Sequence, residues 1–392
     1  MGVFWKCRWN KSPTDTFGQR SPAVKWVLCV LVSRLARTPK TNSKNESDHF
    51  DGDQGWHRHA QRIPKMGSIS LPSPQRLETI LRRQDPPTWG PKYIPAMLAT
   101  REEAPTKSSP SALPSIKLGR TLHAMSSPER DLLIYALYHP QIFDVHEQRM
   151  LACTPRAHPL DDHPEFGSRN RPFLRGTVQV AESLGILNLH PTVLWRDTND
   201  HSQQSIRVPF PYAGDLLVFF HGVAGPTAVN WTVKRHQDDF DRPAFGSRKH
   251  KFSEKSAEGE KLRHEIEMLY YADGRIATVR LTPHDWSEGL RGNLRQLLLW
   301  HDRKVDVREA ARRDIVSMFV SAVGTDATPF EVAILVSAQI GLSFTAVQTV
   351  MYQAIWRREL RVNLFETFMM DQPLLPELED PIIKYSHWLR EL

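Results

Sequence analysis

The sequence predicts an α/β protein closed by a helical C-terminal module, and three observations carry that reading. Residues 208–235 (VPFPYAGDLLVFFHGVAGPTAVNWTVKR) place apolar runs on both sides of a short turn bearing Gly222 and Gly225, the pattern of a β-hairpin. Residues 142–148 (IFDVHEQ) and 275–282 (RIATVRLT) alternate as further strands, with helix-like stretches between them. Past Asp302 the periodicity turns helical: 307–323, then 329–340 closed by Gly341, then a helix that Ser343 caps and that runs to Trp356. With residues 360–364 as a short strand, this last segment is winged-helix-like.

The chain has 392 residues, enough for two domains and extra segments, and its 40% hydrophobic content supplies ordinary cores. The formal charge of +7 is unevenly spread: residues 1–65 hold 12 Lys/Arg against 5 Asp/Glu, and the remainder is neutral. Nucleic-acid affinity in residues 66–392 must therefore come from local patches rather than a whole-protein field. Residues 1–65 contain polar tracts such as TPKTNSKNESDHFDGDQG and no sustained periodicity, and are expected to be a disordered or dispensable extension. His57 and His59 within it are not expected to bind metal. Three cysteines (Cys7, Cys29, Cys153) without a CxxC spacing point to a reducing, intracellular compartment. The apolar run 26–32 is far shorter than the roughly 20 residues that span a bilayer, and no small-residue cleavage site follows it. Neither membrane insertion nor secretion is expected.

Residues 86–114, rich in Pro and Ser, read as a link or wrap. Ser127 as N-cap, Pro128 at the first helical position and Glu129 in the first turn open a helix with Leu132, Leu133, Ala136 and Leu137 as its stripe. The loop 154–172 carries His158, Asp161, Asp162 and His163; these can ligate a metal, but a solvated acidic loop is the stronger expectation. Residues 178–186 suggest a short helix, and another starts near Ser253. Arg248, Lys249, His250 and Lys251 read equally as a phosphate-contact patch or as a mobile charged loop before that helix. His284-Asp285 reads as a turn, and 293–300 as an apolar helix face. On the helix that Ser343 caps, Gln348, Gln353, Arg357 and Arg358 read as exposed, the two arginines being candidate DNA contacts, while Phe344, Val347, Met351 and Ile355 form a packing face.

Side chains alternate along a strand, so Asn230, Thr232 and Lys234 share one face of the hairpin, and Val229, Trp231 and Val233 the other. Asp215 at the mouth of one strand and Lys234 at the end of the next suit metal-assisted phosphodiester hydrolysis. The carboxylate holds a hard cation, and the lysine orients or activates water beside the phosphate. A solvated surface pair produces the same pattern.

Taken together, residues from about 116 to 364 resemble the TnsA-type endonuclease subunit of heteromeric transposases. The shared pattern is Ser126-Ser127-Pro128-Glu129-Arg130 at a helix start, Glu147-Gln148 on a strand, the stretch 177–186, the strand opening with Asp215, the strand ending at Lys234, and a block over 270–294. The resemblance implies a restriction-endonuclease-like mixed sheet flanked by helices, over residues 66–301 with its core from about 116. A winged-helix-like domain (302–370) and a tail (371–392) would follow. It places Glu129, Asp215 and Lys234 on the family's catalytic acid, acid and lysine. One or two magnesium ions, replaceable by manganese, would be held by Glu129, Asp215, the Val233 carbonyl and, through water, Thr232. It implies cleavage of 5′ strands at transposon-end DNA, beside a TnsB-like recombinase and a TnsC-like ATPase that binds the C-terminal domain, in a bacterial cytoplasm at the nucleoid. Two positions depart from the pattern: Thr232 stands where such nucleases usually carry Glu, Asp or Gln, and Gly214 where a proline is often found. The alternatives are a catalytically impaired DNA- or ATPase-binding adaptor of the same fold, and a standalone restriction or repair nuclease.

Overall fold

The computed structural model describes residues 72–106, 108–167, 170–196, 205–240 and 254–391. The expectations for residues 1–65 and for the 248–251 basic cluster lie outside them. Helix α1 (Pro74–Gln84) starts at a Ser73 cap and is followed by the antiparallel pair β1 (Ser111–Ser115) and β2 (Arg120–Ala124). Helix α2 (Ser127–Tyr138) comes next, and its N-cap is Ser126 rather than Ser127. Ser126 lies three residues before Glu129, and its hydroxyl accepts from the Glu129 N–H.

Strand β3 (Ile142–Glu147) and the short β4 (Met150–Leu151) follow, then α3 (Thr177–Ser183), β5 (Thr192–Arg196), β6 (Ser205–Pro209) and β7 (Tyr212–Ala213). The hairpin consists of β8 (Leu216–Gly222) and β9 (Gly225–Val233), paired from Leu216↔Trp231 to Gly222↔Gly225. Its two-residue turn needs Gly225, whose φ of +116° is costly for any residue with a Cβ. Helix α4 (Glu254–Asp273) carries the chain to β10 (Ala277–Leu281), which pairs in parallel with β9. The main sheet therefore runs β10-β9-β8-β3, with a parallel pair at one edge and antiparallel pairing elsewhere. Helices α5 (Glu288–Leu298), α6 (Glu309–Ala322), α7 (Pro329–Ile340), α8 (Phe344–Trp356) and the short α9 (Pro381–Lys384) complete the chain. The protein is thus mixed α/β. Among the described residues no single helix is long and apolar enough to cross a membrane.

Both faces of the sheet are covered. Val218, Phe220, Val229, Trp231 and Val233 face α2, α5 and the C-terminal helices in one large cluster. Leu217, Phe219 and Ala228 face Tyr270 and Tyr271 of α4 and the loop residues Leu160 and Leu174. The alternation read from the hairpin is what allows two opposite faces to be buried.

The C-terminal module departs from its expected form in two respects. Residues 360–364 are not a strand; they meet the chain at one isolated bridge, Val362↔Pro376, and Pro376 has no N–H with which to extend a ladder. Residues 371–392 are not a loose tail either. Trp388 is buried against Trp231, Tyr135, Trp286 and Tyr385, and its carbonyl accepts a 2.9 Å hydrogen bond from Trp231 Nε1. Ile315, Phe319, Val336, Val350 and Trp388 share one cluster with the sheet, so the C-terminal helices are part of its core. Trp388→Ala should therefore cost about 3–5 kcal/mol in urea unfolding of the full chain. A loss below about 1 kcal/mol would contradict this packing.

Candidate functional site

Glu129, Asp215 and Lys234 come from three elements; the charge of Lys234 acts on both acids, and that of Asp215 on Glu129. Glu129 lies in the first turn of α2 and is buried. Its Oε2 accepts from the Met125 N–H at 3.0 Å and from Gln148 Nε2 at 3.1 Å, and its Oε1 accepts from the Ser126 hydroxyl at 2.8 Å. Burial, and then the charge of Asp215, push its carboxyl up to about 7, against the pull of those hydrogen bonds and of Lys234.

Asp215 precedes β8. Its Oδ2 accepts from the Val233 N–H at 2.7 Å, and its carbonyl accepts from the Gln148 N–H at 2.9 Å. Burial raises its carboxyl above the usual range; Lys234 opposes the shift and Glu267 adds to it. Gln148 thus spans both acids, its side chain on Glu129 and its main chain on Asp215. It holds a left-handed φ of +48° to do so. Lys234 is half-buried, and its N–H donates to Leu281 O at 3.0 Å, tying the end of β9 to β10. Glu147, beside Gln148, faces elsewhere: both its oxygens are held by Arg120, at 2.7 and 2.9 Å.

Thr232 and Asn230 do share a face, as the alternation predicts, and that face meets α4. Asn230 Nδ2 donates to Glu267 Oε1 at 3.0 Å and to Thr232 Oγ1 at 3.3 Å, and Thr232 Oγ1 lies 3.5 Å from Glu267 Oε1. Burial disfavours the charged form of Glu267, but His264, Arg263 and Asn230 outweigh it and hold its carboxyl below the usual range. Glu267 was not among the sequence candidates. A signal for it does exist: it falls on one helical stripe with Tyr270 and Tyr271, both buried, and a carboxylate on such a stripe has to be paired.

Other candidates separate from the site. His158 caps a short turn by accepting from Leu160 N–H, Asp161 pairs with Arg171, and His163 stacks on Phe166. Asp285 closes a capping box with Thr282, so His284-Asp285 is a turn. Gln353 is buried and donates to the Trp300 and Arg303 carbonyls, contrary to its expected exposure. Arg358 is also committed: it pairs with Asp380 at 2.6 Å and donates to Tyr138 Oη at 3.2 Å. Helix α8 ends at this point, and a φ of +63° turns Arg358 back toward the core, whereas Arg357 is exposed.

Among the described residues no group of three or more His, Cys, Asp or Glu side chains is placed to hold a metal ion. A cation here would rely on Glu129 and Asp215, with the Val233 carbonyl and water completing its shell. Magnesium, which keeps several waters and binds through one or two carboxylates, fits such a sparse set. Burial raises the proton affinity of both acids, and Asp215 adds to that of Glu129, so the pair is short of positive charge. No family model and no curated protein matches the chain.

An acid whose proton is held more tightly when folded loses folding stability as pH rises from its unfolded value to its folded one, here from 4.5 to about 7. In chelator, Glu129→Gln should therefore exceed the wild type in stability by about 3 kcal/mol at pH 8, and the gap should close below pH 4.5. Urea titrations at the two pH values measure it, and a gap independent of pH would contradict the assignment.

Proposed function

We propose that the chain is a metal-dependent DNA endonuclease of TnsA type, cutting 5′ strands at transposon ends during cut-and-paste transposition. The observation that carries this reading is that Gln148 bridges Glu129, at a helix start, and Asp215, at the mouth of a strand, while the charge of Lys234 at the end of the next strand acts on both acids. The four-stranded mixed sheet with helices on both faces agrees with a restriction-endonuclease-like core, and α6–α8 agree with a winged-helix-like module fused to it.

When bound, magnesium or manganese would supply Lewis acidity and lower the pKa of a water ligand. Glu129, Asp215 and the Val233 carbonyl would hold it. Lys234 orients the attacking water and offsets charge developing on the phosphate. Ser126, Met125 and Gln148 fix the Glu129 carboxyl, and the Val233 N–H fixes that of Asp215. DNA contact falls to the exposed Arg357 and the 248–251 patch rather than Arg358. A TnsB-like recombinase would cut and join the 3′ strands, and a TnsC-like ATPase would bind the C-terminal helices. There Phe330, Ile334 and Leu335 of α7 leave apolar surface exposed. The setting proposed is a bacterial cytoplasm, on nucleoid DNA when active. The neutral Thr232 favours one second reading, an adaptor of the same fold with impaired chemistry.

Strand-specific nicking of labelled transposon ends, with recombinase and ATPase present, tests the reading. Asp215→Asn and Glu129→Gln should abolish magnesium-dependent 5′ nicking, and Lys234→Ala should slow it roughly 10²- to 10⁴-fold. Wild-type rates in Asp215→Asn would overturn the nuclease reading, and a wild-type chain inert in magnesium and manganese would favour the adaptor.

A further inference from the structure

The two departures from the nuclease pattern, Thr232 and Gly214, meet at a single side chain. Thr232 Oγ1 lies 3.5 Å from Glu267 Oε1, and a Cβ added at Gly214 would lie 3.1 Å from that same oxygen. It would also lie 3.3 Å from Leu151 Cδ1, and a proline would forfeit the 2.8 Å hydrogen bond from the Gly214 N–H to Arg149 O. The absence of a side chain at 214 therefore makes room for a carboxylate brought in from α4. Glu267 also fixes which way the Asn230 amide faces, because only its NH2 group can point at a carboxylate. That leaves Asn230 Oδ1, in a fully buried residue, without a donor among the described residues. It is an acceptor suited to a water or hydrated cation at this spot.

We infer that Glu267 is a positioning residue that supplies, from the helix, the negative charge that position 232 lacks. It acts on a divalent cation at Asp215 through the Thr232 hydroxyl. This rests on the nuclease reading above. A hydroxyl polarised by a carboxylate close behind it presents a more electron-rich oxygen to its other side, as partners behind a metal's own ligands commonly do. Glu267 is not itself a ligand in this arrangement, consistent with the lack of a three-carboxylate cluster. The same geometry sets the effect of Thr232→Glu: alone, it faces one buried carboxylate with another, whereas combined with Glu267→Gln it moves the charge from helix to strand.

Calorimetric titration of the full chain with manganese alone, at fixed pH, tests this apart from activity. The wild type should bind, and Asp215→Asn should not. Glu267→Gln, close to isosteric, and Thr232→Val, which leaves Glu267 in place, should each weaken binding roughly 10- to 100-fold. The double variant Thr232→Glu/Glu267→Gln should recover most of that loss, which a purely structural role for Glu267 would not produce. Wild-type affinity in both Glu267→Gln and Thr232→Val, with Asp215→Asn inactive in binding, would overturn this inference alone. A double variant no tighter than Glu267→Gln would overturn it too. A wild-type chain that binds no manganese would overturn the underlying reading along with it.

Discussion

Leu216 lies opposite Trp231 across the hairpin, and that register decides which side chains reach the site. It sets Asp215 beside Val233, whose N–H holds the carboxylate, and so fixes Lys234 and Thr232 relative to it. A slip of one residue would turn Trp231 out of the large cluster and carry Asn230 and Thr232 away from α4. Burial guards against the slip. Trp231 is fully enclosed, its ring N–H is bonded to the Trp388 carbonyl, and the opposite face of the strand carries the polar pair. The far end of the chain thus braces the strand that bears the site.

The same enclosure sets the site's electrostatics. Glu129 sits where the start of a helix favours negative charge, yet burial and Asp215 together outweigh that help. Glu267 stays charged because His264, Arg263 and Asn230 surround it. Acids held by different surroundings in one small volume respond differently to an added cation. Glu129 and Asp215 have proton affinity to give up, whereas Glu267 offers a charge already fixed in place.

Much of this was legible in the sequence because it is local. The hairpin, the start of α2 and the α7–α8 turn are marked by alternation, a cap and Gly341, signals that span only a few residues. What was not legible depends on contacts distant in sequence. The cap falls on Ser126 because of where the Glu129 N–H points, although two adjacent serines are equivalent as letters. Gln353 and Arg358 are polar and look solvated, but the Trp300 and Arg303 carbonyls and Asp380 draw them inward. Glu267 emerges as part of the site only when α4 is laid across the sheet, since its partners lie on β9. The parallel pairing of β9 with β10, which sets that crossing, has no local signature.

The central claim is that Glu129 and Asp215 form one cation-binding unit. The most direct measurement is an NMR titration of the Glu129 carboxyl carbon, with and without magnesium. Without the ion it should titrate near 7. With saturating magnesium it should remain ionised well below that pH, because the ion stabilises the charged form. Superimposable curves would contradict the account.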